Sequence, residues 1–230
     1  MLHSNIGILV IHGFGGGTFE VESLAKHFDK KGYVIVCPKL KGHTGNRKHM
    51  KKASCEDWIA SAEIDLLKLI QKTSTVVIVG FSMGGLIAVN LAEKYKEYVK
   101  ALVTVNTPIF VWNMRRIALN IKEDIRCKKF DNLKRYFQAK RSSPMCSMMQ
   151  FLKILKISKE KFLDIDVPFL ITQTMDDDTV KIKSVNYIYN TISSSVKETK
   201  YYEKGGHLIL ESQYAQHVIN DIDKFINKLF

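Results

Sequence analysis

The stretch from Thr75 to Asn90, TVVIVGFSMGGLIAVN, limits what this chain can fold into more than any other. A β-branched run (Thr75, Val76, Val77, Ile78, Val79) enters Gly80-Phe81-Ser82-Met83-Gly84-Gly85, and an apolar, helix-compatible segment follows at once. That order reads as strand, sharp turn, helix. Gly80 and Gly84 stand two residues either side of Ser82, which is the G-x-S-x-G pattern in the context a nucleophile elbow requires. A turn this tight has no room for a Cβ at either glycine. It pushes the Ser82 hydroxyl above the sheet and aims the first N–H groups of the helix, with the positive end of its dipole, at whatever Ser82 attacks. The plain alternative is a glycine-rich turn that happens to contain a serine; the strand before it and the helix after it count against that.

An elbow serine needs a base and an acid that orients it, later in the chain in the order Ser, acid, His. Pro168 to Gln173 (PFLITQ) reads as a buried strand running into Thr174-Met175-Asp176-Asp177-Asp178. Glu198 to Glu203 alternates weakly as a late strand and runs into Lys204-Gly205-Gly206-His207. Two glycines before a histidine give up rigidity that only a loop with an unusual backbone path would want. His207 is therefore the candidate general base rather than a packing histidine.

Earlier in the chain, Ile6 to Ile11 (IGILVI) is a continuous apolar strand of the kind buried on both faces of a parallel sheet. It ends in His12-Gly13-Phe14-Gly15-Gly16-Gly17. A dinucleotide frame fails there, at Thr18 from Gly13 and at Glu20 from Gly15, and no Walker lysine follows. The loop suits a backbone that approaches a small oxyanion, with the N–H of Phe14 as one donor and that of Met83 as the other. His12 reads as structural, a ring that ties the loop down. A helical pattern from Glu20 to Lys31 stops at Gly32, and Tyr33 to Cys37 is the next strand. Ser54 opens a helix through Gln71, with Asp57 as its capping-box partner. Its apolar face is Trp58, Ile59, Ala62, Leu66, Leu69 and Ile70. After the elbow, Lys100 to Val105 is another strand. Strands alternate with helices from residue 6 to 105, which specifies an α/β fold with a doubly wound, mostly parallel sheet. At 230 residues and 46% hydrophobic the chain suits one domain.

From Pro108 to about Leu163 the alternation stops. Helix-compatible sequence rich in Lys and Arg replaces it, interrupted near Ser142-Ser143-Pro144. This stretch leaves the sheet at its carboxyl edge, where open α/β folds bind ligands. The expected organisation is a core of residues 1–107 and 164–230 with a small helical lid, 108–163, inserted before the acid-bearing strand. Ile109, Phe110, Val111, Trp112, Met145, Met148, Met149 and Phe151 could line an acyl pocket or simply pack the lid down.

The HGFGG loop, the GFSMGG elbow, the acidic turn and the late GGH, in this order and with a helical insertion, resemble the α/β-hydrolase superfamily, and within it the small bacterial carboxylesterases and monoacylglycerol lipases. The resemblance covers nearly the whole chain. It implies a serine carboxylesterase acting on short- to medium-chain acyl esters, with monoacylglycerols as one candidate. By that resemblance Ser82 matches the nucleophile, His207 the base, and Phe14 and Met83 the oxyanion donors. The family's D-x-x-V pattern fits Asp177 with Val180. Asp178 looks better placed to cap a helix starting about Thr179, and Asp176 is the fallback acid. One departure is that the usual GHG after the second strand reads Gly42-His43-Thr44-Gly45, with a threonine expected to reshape the pocket rim. Thioester or amide hydrolysis could run on the same residues, and a hydrolase-like scaffold that only holds a ligand is the rival outside enzymes.

No metal or organic cofactor is called for, since His43 and His49 have no zinc spacing with any cysteine. Cys37, Cys55, Cys127 and Cys146 are scattered like reduced thiols, and the first apolar run is too short for a signal peptide. Both features set a cytoplasmic expectation. The net charge of +12 is uneven: residues 113–161 hold 14 Lys and Arg against 4 acids, and residues 39–52 hold 6 against none. Both segments should lie at the rim of the site, where they could attract anionic esters or an anionic lipid surface, or be no more than a solvated face. No stacking motif or groove-reading module points to nucleic acid.

Overall fold

Six parallel strands form one open sheet in the computed structural model of the chain, which describes residues 5–142 and 144–230. They are β1 (Ile6–Ile11), β2 (Val34–Val36), β3 (Thr75–Phe81), β4 (Val99–Val105), β5 (Phe169–Thr174) and β6 (Lys197–Tyr202). Their order across the sheet is β2-β1-β3-β4-β5-β6. The chain winds outward from β1 to β2 in one direction and from β3 to β6 in the other. The junction of β1 and β3 is therefore the switch point, outside whose carboxyl ends open sheets bind ligands. The glycine-rich loop and the serine turn both leave the sheet there.

Alternation along β1 divides the core. Ile8 and Val10 pack with Leu24 and Phe28 of α1 (Glu22–Asp29) and with Ile222 and Phe225 of α9 (Ala215–Leu229). Leu9 and Ile11 face the other way, toward α3 (Cys55–Ile70) and α4 (Met83–Lys94). Burial on both faces is what makes the strands continuous apolar runs. Residues Met83 to Ala92 of α4 are all buried, so this helix has no solvent face to make amphipathic. The α3 helix carries the expected capping box, with Ser54 accepting from the Asp57 N–H and Asp57 from the Ser54 N–H. Its buried face is Cys55, Trp58, Ala62, Leu66 and Leu69.

The expected helix at Glu20 begins later. Thr18–Val21 forms a single 3-10 turn, and the α-helix starts at Glu22. A short helix α2 (Arg47–Lys52), capped by Asn46, lies in the loop after β2. Three helices fill the segment between β4 and β5: α5 (Met114–Cys127), α6 (Asp131–Ser142) and α7 (Met145–Lys161). The last packs on the core, burying Phe151 and Ile154, and the Ser158 hydroxyl accepts from the Asn90 amide of α4 at 2.7 Å. The first two lean on the turn after β5 instead. The Asn113 N–H donates to the Asp178 carbonyl at 3.0 Å and the Trp112 N–H to that of Thr179 at 2.7 Å. Val111 and Val180 form an antiparallel bridge beside them. The helix expected about Thr179 is absent; α8 (Lys183–Thr191) starts at Lys183. Among the described residues no helix is long and apolar enough to cross a membrane.

Trp58 is the largest of the fully buried side chains. Trp58→Ala should cost about 3–5 kcal/mol, the usual range for emptying a core aromatic site. Urea unfolding measures it, and a loss under about 1 kcal/mol would mean that this face repacks freely.

Candidate active site

Ser82 occupies a backbone conformation that L-residues avoid, with φ 51° and ψ −121°. Conformations of this kind cost about 1–3 kcal/mol and persist only where the surroundings over-determine them. Here three glycines do so. A Cβ on Gly80 would overlap the backbone of Gly84 and Gly85, and one on Gly84 would overlap the carbonyl of Ile11 at the end of β1. The third, Gly85, gives way to Thr107, whose hydroxyl donates to the Ser82 carbonyl at 3.2 Å. The Ser82 N–H is held by the Val105 carbonyl at 2.8 Å. The serine is thus clamped between β1, β4 and its own helix.

The Ser82 hydroxyl lies 2.9 Å from His207 Nε2, and His207 Nδ1 lies 2.9 Å from Asp177 Oδ2. The histidine reaches this point from the loop after β6, where Gly205 and Gly206 have φ 130° and 63°. Those values explain the paired glycines. Asp177 is buried, and its other oxygen accepts the N–H groups of Thr179 at 2.7 Å and Val180 at 2.9 Å. A carboxylate bound on one side by two amides presents the other to the imidazole in a fixed direction. Its neighbours are used differently. Asp176 accepts the Gly206 N–H at 2.8 Å, which pins the histidine loop. Asp178 caps no helix, contrary to the sequence expectation. Its carboxylate is paired with Arg135 and accepts from the Tyr136 hydroxyl at 2.6 Å and the Asn120 amide at 2.9 Å. Burial opposes the Asp178 charge, but Tyr136 and Arg135 outweigh it and hold the carboxyl below its ordinary range.

Burial also works against a charged His207. The charge and hydrogen bond of Asp177 override it, helped by Asp178 and Glu20, so that the imidazole is raised above its ordinary value of 6.5. On the other side of Ser82, the loop 12–17 leaves the end of β1, where the Ile11 and His12 carbonyls lie against Gly84 in the first turn of α4; the N–H groups of Phe14 and Met83 belong to these two segments. Neither N–H donates to another described residue. His12 holds the loop, as expected. Its Nδ1–H meets the Gly13 carbonyl at 2.9 Å, and Nε2 accepts the Leu40 N–H at 3.4 Å. The Phe14 ring packs on Trp58 and Phe151, with centroids 5.6 and 5.3 Å away. His43, pushed down to about 4 by burial and by His12, is a neutral part of the same wall. Thr44 takes part in the turn, its hydroxyl lying 2.8 Å from His49 Nδ1.

The apolar residues of the insertion separate into two groups. Ile109 and Phe151 are buried with the core, and Phe110 stacks against Tyr187 under Lys183. Trp112, Met145 and Met149 are exposed. A cleft of about 440 Å³ opens beside His207, walled by Arg116, Asn120, Arg135, Asp176 and Glu211 among others. Ser82 lies outside it, and its charged lining does not suit an acyl chain.

Two buried groups escaped the sequence reading. Asn106, just past β4, has φ 49° and no exposure. Its amide donates to the carbonyls of Gly206 at 3.2 Å and His207 at 2.8 Å, and its oxygen accepts the Thr174 N–H at 2.8 Å. One side chain thereby joins the strand end that carries Asp177 to the loop that carries His207. An asparagine after a strand, able to take a left-handed backbone, was the only local sign. The other is Glu20, whose carboxylate accepts the Gly13 N–H at 2.9 Å.

Residues 8–154 match the family described as alpha/beta hydrolase fold. The chain belongs to that family. Among curated relatives it is 28% identical over 203 residues to a thermostable monoacylglycerol lipase of Bacillus sp. (strain H-257), covering 84% of this chain and 79% of that protein. It is 23% identical over 230 residues to a carboxylesterase of Bacillus subtilis (strain 168), covering 96% and 92%. Of solved structures, one from a study of the metagenome-derived lipolytic enzymes LipS and LipT superposes with a TM-score of 0.82 at 22% identity, over 98% of this chain and 95% of that one. A soluble variant of the monoglyceride lipase of Saccharomyces cerevisiae gives 0.75 at 19% identity, over 99% and 88%. At these identities the superpositions bear on the fold.

Asn106→Ala would leave buried partners unpaired while keeping an unfavourable positive φ. It should destabilise the protein by about 2–4 kcal/mol in urea unfolding. Asn106→Gly, which relieves the φ but not the lost bonds, should recover only part of that; full recovery would make the backbone strain, and not the bridge, the whole effect.

Proposed function

We propose that the chain is a carboxylic ester hydrolase in which Ser82 is the nucleophile, His207 the general base and Asp177 the acid that orients it. His207 takes the Ser82 proton as the hydroxyl attacks the ester carbonyl, and the amides of Phe14 and Met83 receive the oxyanion. Asp177 holds the imidazole in the Nδ1–H tautomer and stabilises the imidazolium. The proton then passes to the departing alcohol, and water releases the acyl group from Ser82 by the reverse sequence. The observation that carries the reading is the unbroken pair of 2.9 Å contacts from Ser82 through His207 to Asp177. Directly after Ser82 begins α4, whose first ten residues are all buried.

Short- to medium-chain acyl esters are the proposed substrates, with monoacylglycerols among them. Support comes from curated relatives named as a monoacylglycerol lipase and a carboxylesterase. We place the cover of the site in α5 and α6, because α7 packs with the core. Arg115, Lys122, Arg126, Lys128, Lys129 and Lys134 are exposed on that cover, which favours anionic esters or an anionic lipid surface. Raising salt should then slow hydrolysis of an anionic ester more than that of a neutral one; equal responses remove the steering.

Turnover of p-nitrophenyl acyl esters tests the assignment. Ser82→Ala should lose activity by several orders of magnitude, and Asp177→Asn by about 10⁴-fold. Equal rates for wild type and Ser82→Ala would exclude Ser82 as the nucleophile. The base must be neutral to act, so kcat/KM should rise with pH through an apparent pKa above 6.5. In Asp177→Asn the residual activity should rise at lower pH, since the group that lifts His207 is gone. An unmoved limb would assign that ionisation elsewhere.

A further inference from the structure

Glu20 is a buried acid that the proposed chemistry does not use. It lies in the 3-10 turn after the glycine-rich loop, anchored by its N–H to the Gly17 carbonyl at 3.1 Å, and only 7% of it is exposed. From there the side chain turns back into the loop. One carboxylate oxygen accepts the Gly13 N–H at 2.9 Å, and the loop is shaped around the group, since a Cβ on Gly16 would overlap the Glu20 carboxyl. The Gly13 peptide leads directly to the Phe14 N–H. Phe14 and Glu20 are held by opposite sides of the fold, the ring against Trp58 and Phe151 and the carboxylate in the turn before α1. Holding the Gly13 N–H on one side and the Phe14 ring on the other limits the φ and ψ of Gly13 between them, and with them the direction of the Phe14 N–H.

We propose that Glu20 is a positioning residue that braces the Gly13 amide, so that the Phe14 N–H stays aimed at the oxyanion formed on the Ser82 side. The inference rests on the reading of Phe14 as an oxyanion donor. The brace is the reach of an oxygen acceptor and does not depend on charge, since a protonated carboxyl still accepts through its carbonyl oxygen. The state of the carboxyl nevertheless matters nearby. Burial, opposed by the Gly13 hydrogen bond and by His207 and reinforced by Glu211, pushes Glu20 up to about 7. His207 and Glu211 are the titratable groups that act on it, and Glu20 in turn helps to raise His207.

Two variants separate reach from charge. Glu20→Gln keeps an oxygen at the same distance and removes the ionisation; Glu20→Asp keeps the charge and withdraws it by one methylene. The brace requires Glu20→Gln to retain kcat within about threefold, with the apparent pKa of His207 lowered in the kcat/KM profile. It requires Glu20→Asp to lose kcat tenfold or more with KM within about twofold, as an impaired oxyanion donor would. An alkylboronic acid, which forms a tetrahedral adduct with an active serine, should bind wild type and Glu20→Gln alike and Glu20→Asp at least tenfold more weakly. Unchanged kcat and boronate affinity in Glu20→Asp would overturn the proposal. So would an equal loss in both variants, which would make the charge and not the reach the operative feature. Ser82→Ala assayed in parallel keeps the two readings apart. If it remains active the nucleophile assignment fails, whereas an inactive Ser82→Ala beside a fully active Glu20→Asp rejects the brace alone.

Discussion

The close approach of α4 to the end of β1 is the contact on which the rest depends. It exists because residue 84 has no side chain, so that the first turn of the helix rests on the carbonyl of Ile11. The residues that follow the strand are His12, Gly13 and Phe14. One glycine contact therefore sets the distance between the serine turn and the start of the loop facing it, and in the proposed reaction these two segments supply the oxyanion donors. The unfavourable backbone of Ser82 persists because β1, β4 and Thr107 leave it no alternative. In the proposed reaction such rigidity is useful: donors fixed before the charge develops need no reorganisation when it does.

The opposite half of the site is assembled from loops, and hydrogen bonds replace packing as its organiser. Three consecutive aspartates divide the work. Asp176 pins the histidine loop, Asp177 meets the imidazole, and Asp178 is tied up by α5 and α6 through Arg135, Tyr136 and Asn120. The buried Asp178 charge is tolerable only because it is paired and accepts several donors. Asn106 closes the arrangement by bonding the strand end before the acids and the backbone of the histidine loop together. The basic insertion and the acid thus share one turn, so that a change in how the helices sit would reach Asp177 directly.

How much of this could be read in the sequence follows from how local each cause is. The elbow, the first loop and the Gly205-Gly206 pair were legible because backbone geometry forces particular residues at particular offsets, and the alternating strands and helices announced the sheet. Which aspartate meets His207 was less so, because three identical side chains differ only in direction. No helix starts at Thr179 because a distant partner claims the backbone there: the Thr179 carbonyl and the Lys181 N–H pair with Trp112 and Phe110 across the Val111–Val180 bridge. Asn106 and the loop contact of Glu20 carry no such local mark. The partners of Asn106 lie 68 to 101 residues away, and Glu20 turns back across seven residues out of what reads as an ordinary helix start. Nothing in a local pattern encodes either. The insertion was legible as helical, whereas the docking of α7 on α4 depends on a buried Asn90–Ser158 pair that only the fold brings together.

The central claim is that an acyl group passes through Ser82. The most direct test is to mix the protein with a p-nitrophenyl ester, quench in acid within the first turnovers, and locate the acyl group by peptide mass analysis. The account predicts a single acylated peptide, the one that contains Ser82, formed together with the initial release of p-nitrophenol. An acyl group on another residue, or rapid turnover with no acylated peptide in an Asp177→Asn variant that should slow its release, would contradict it.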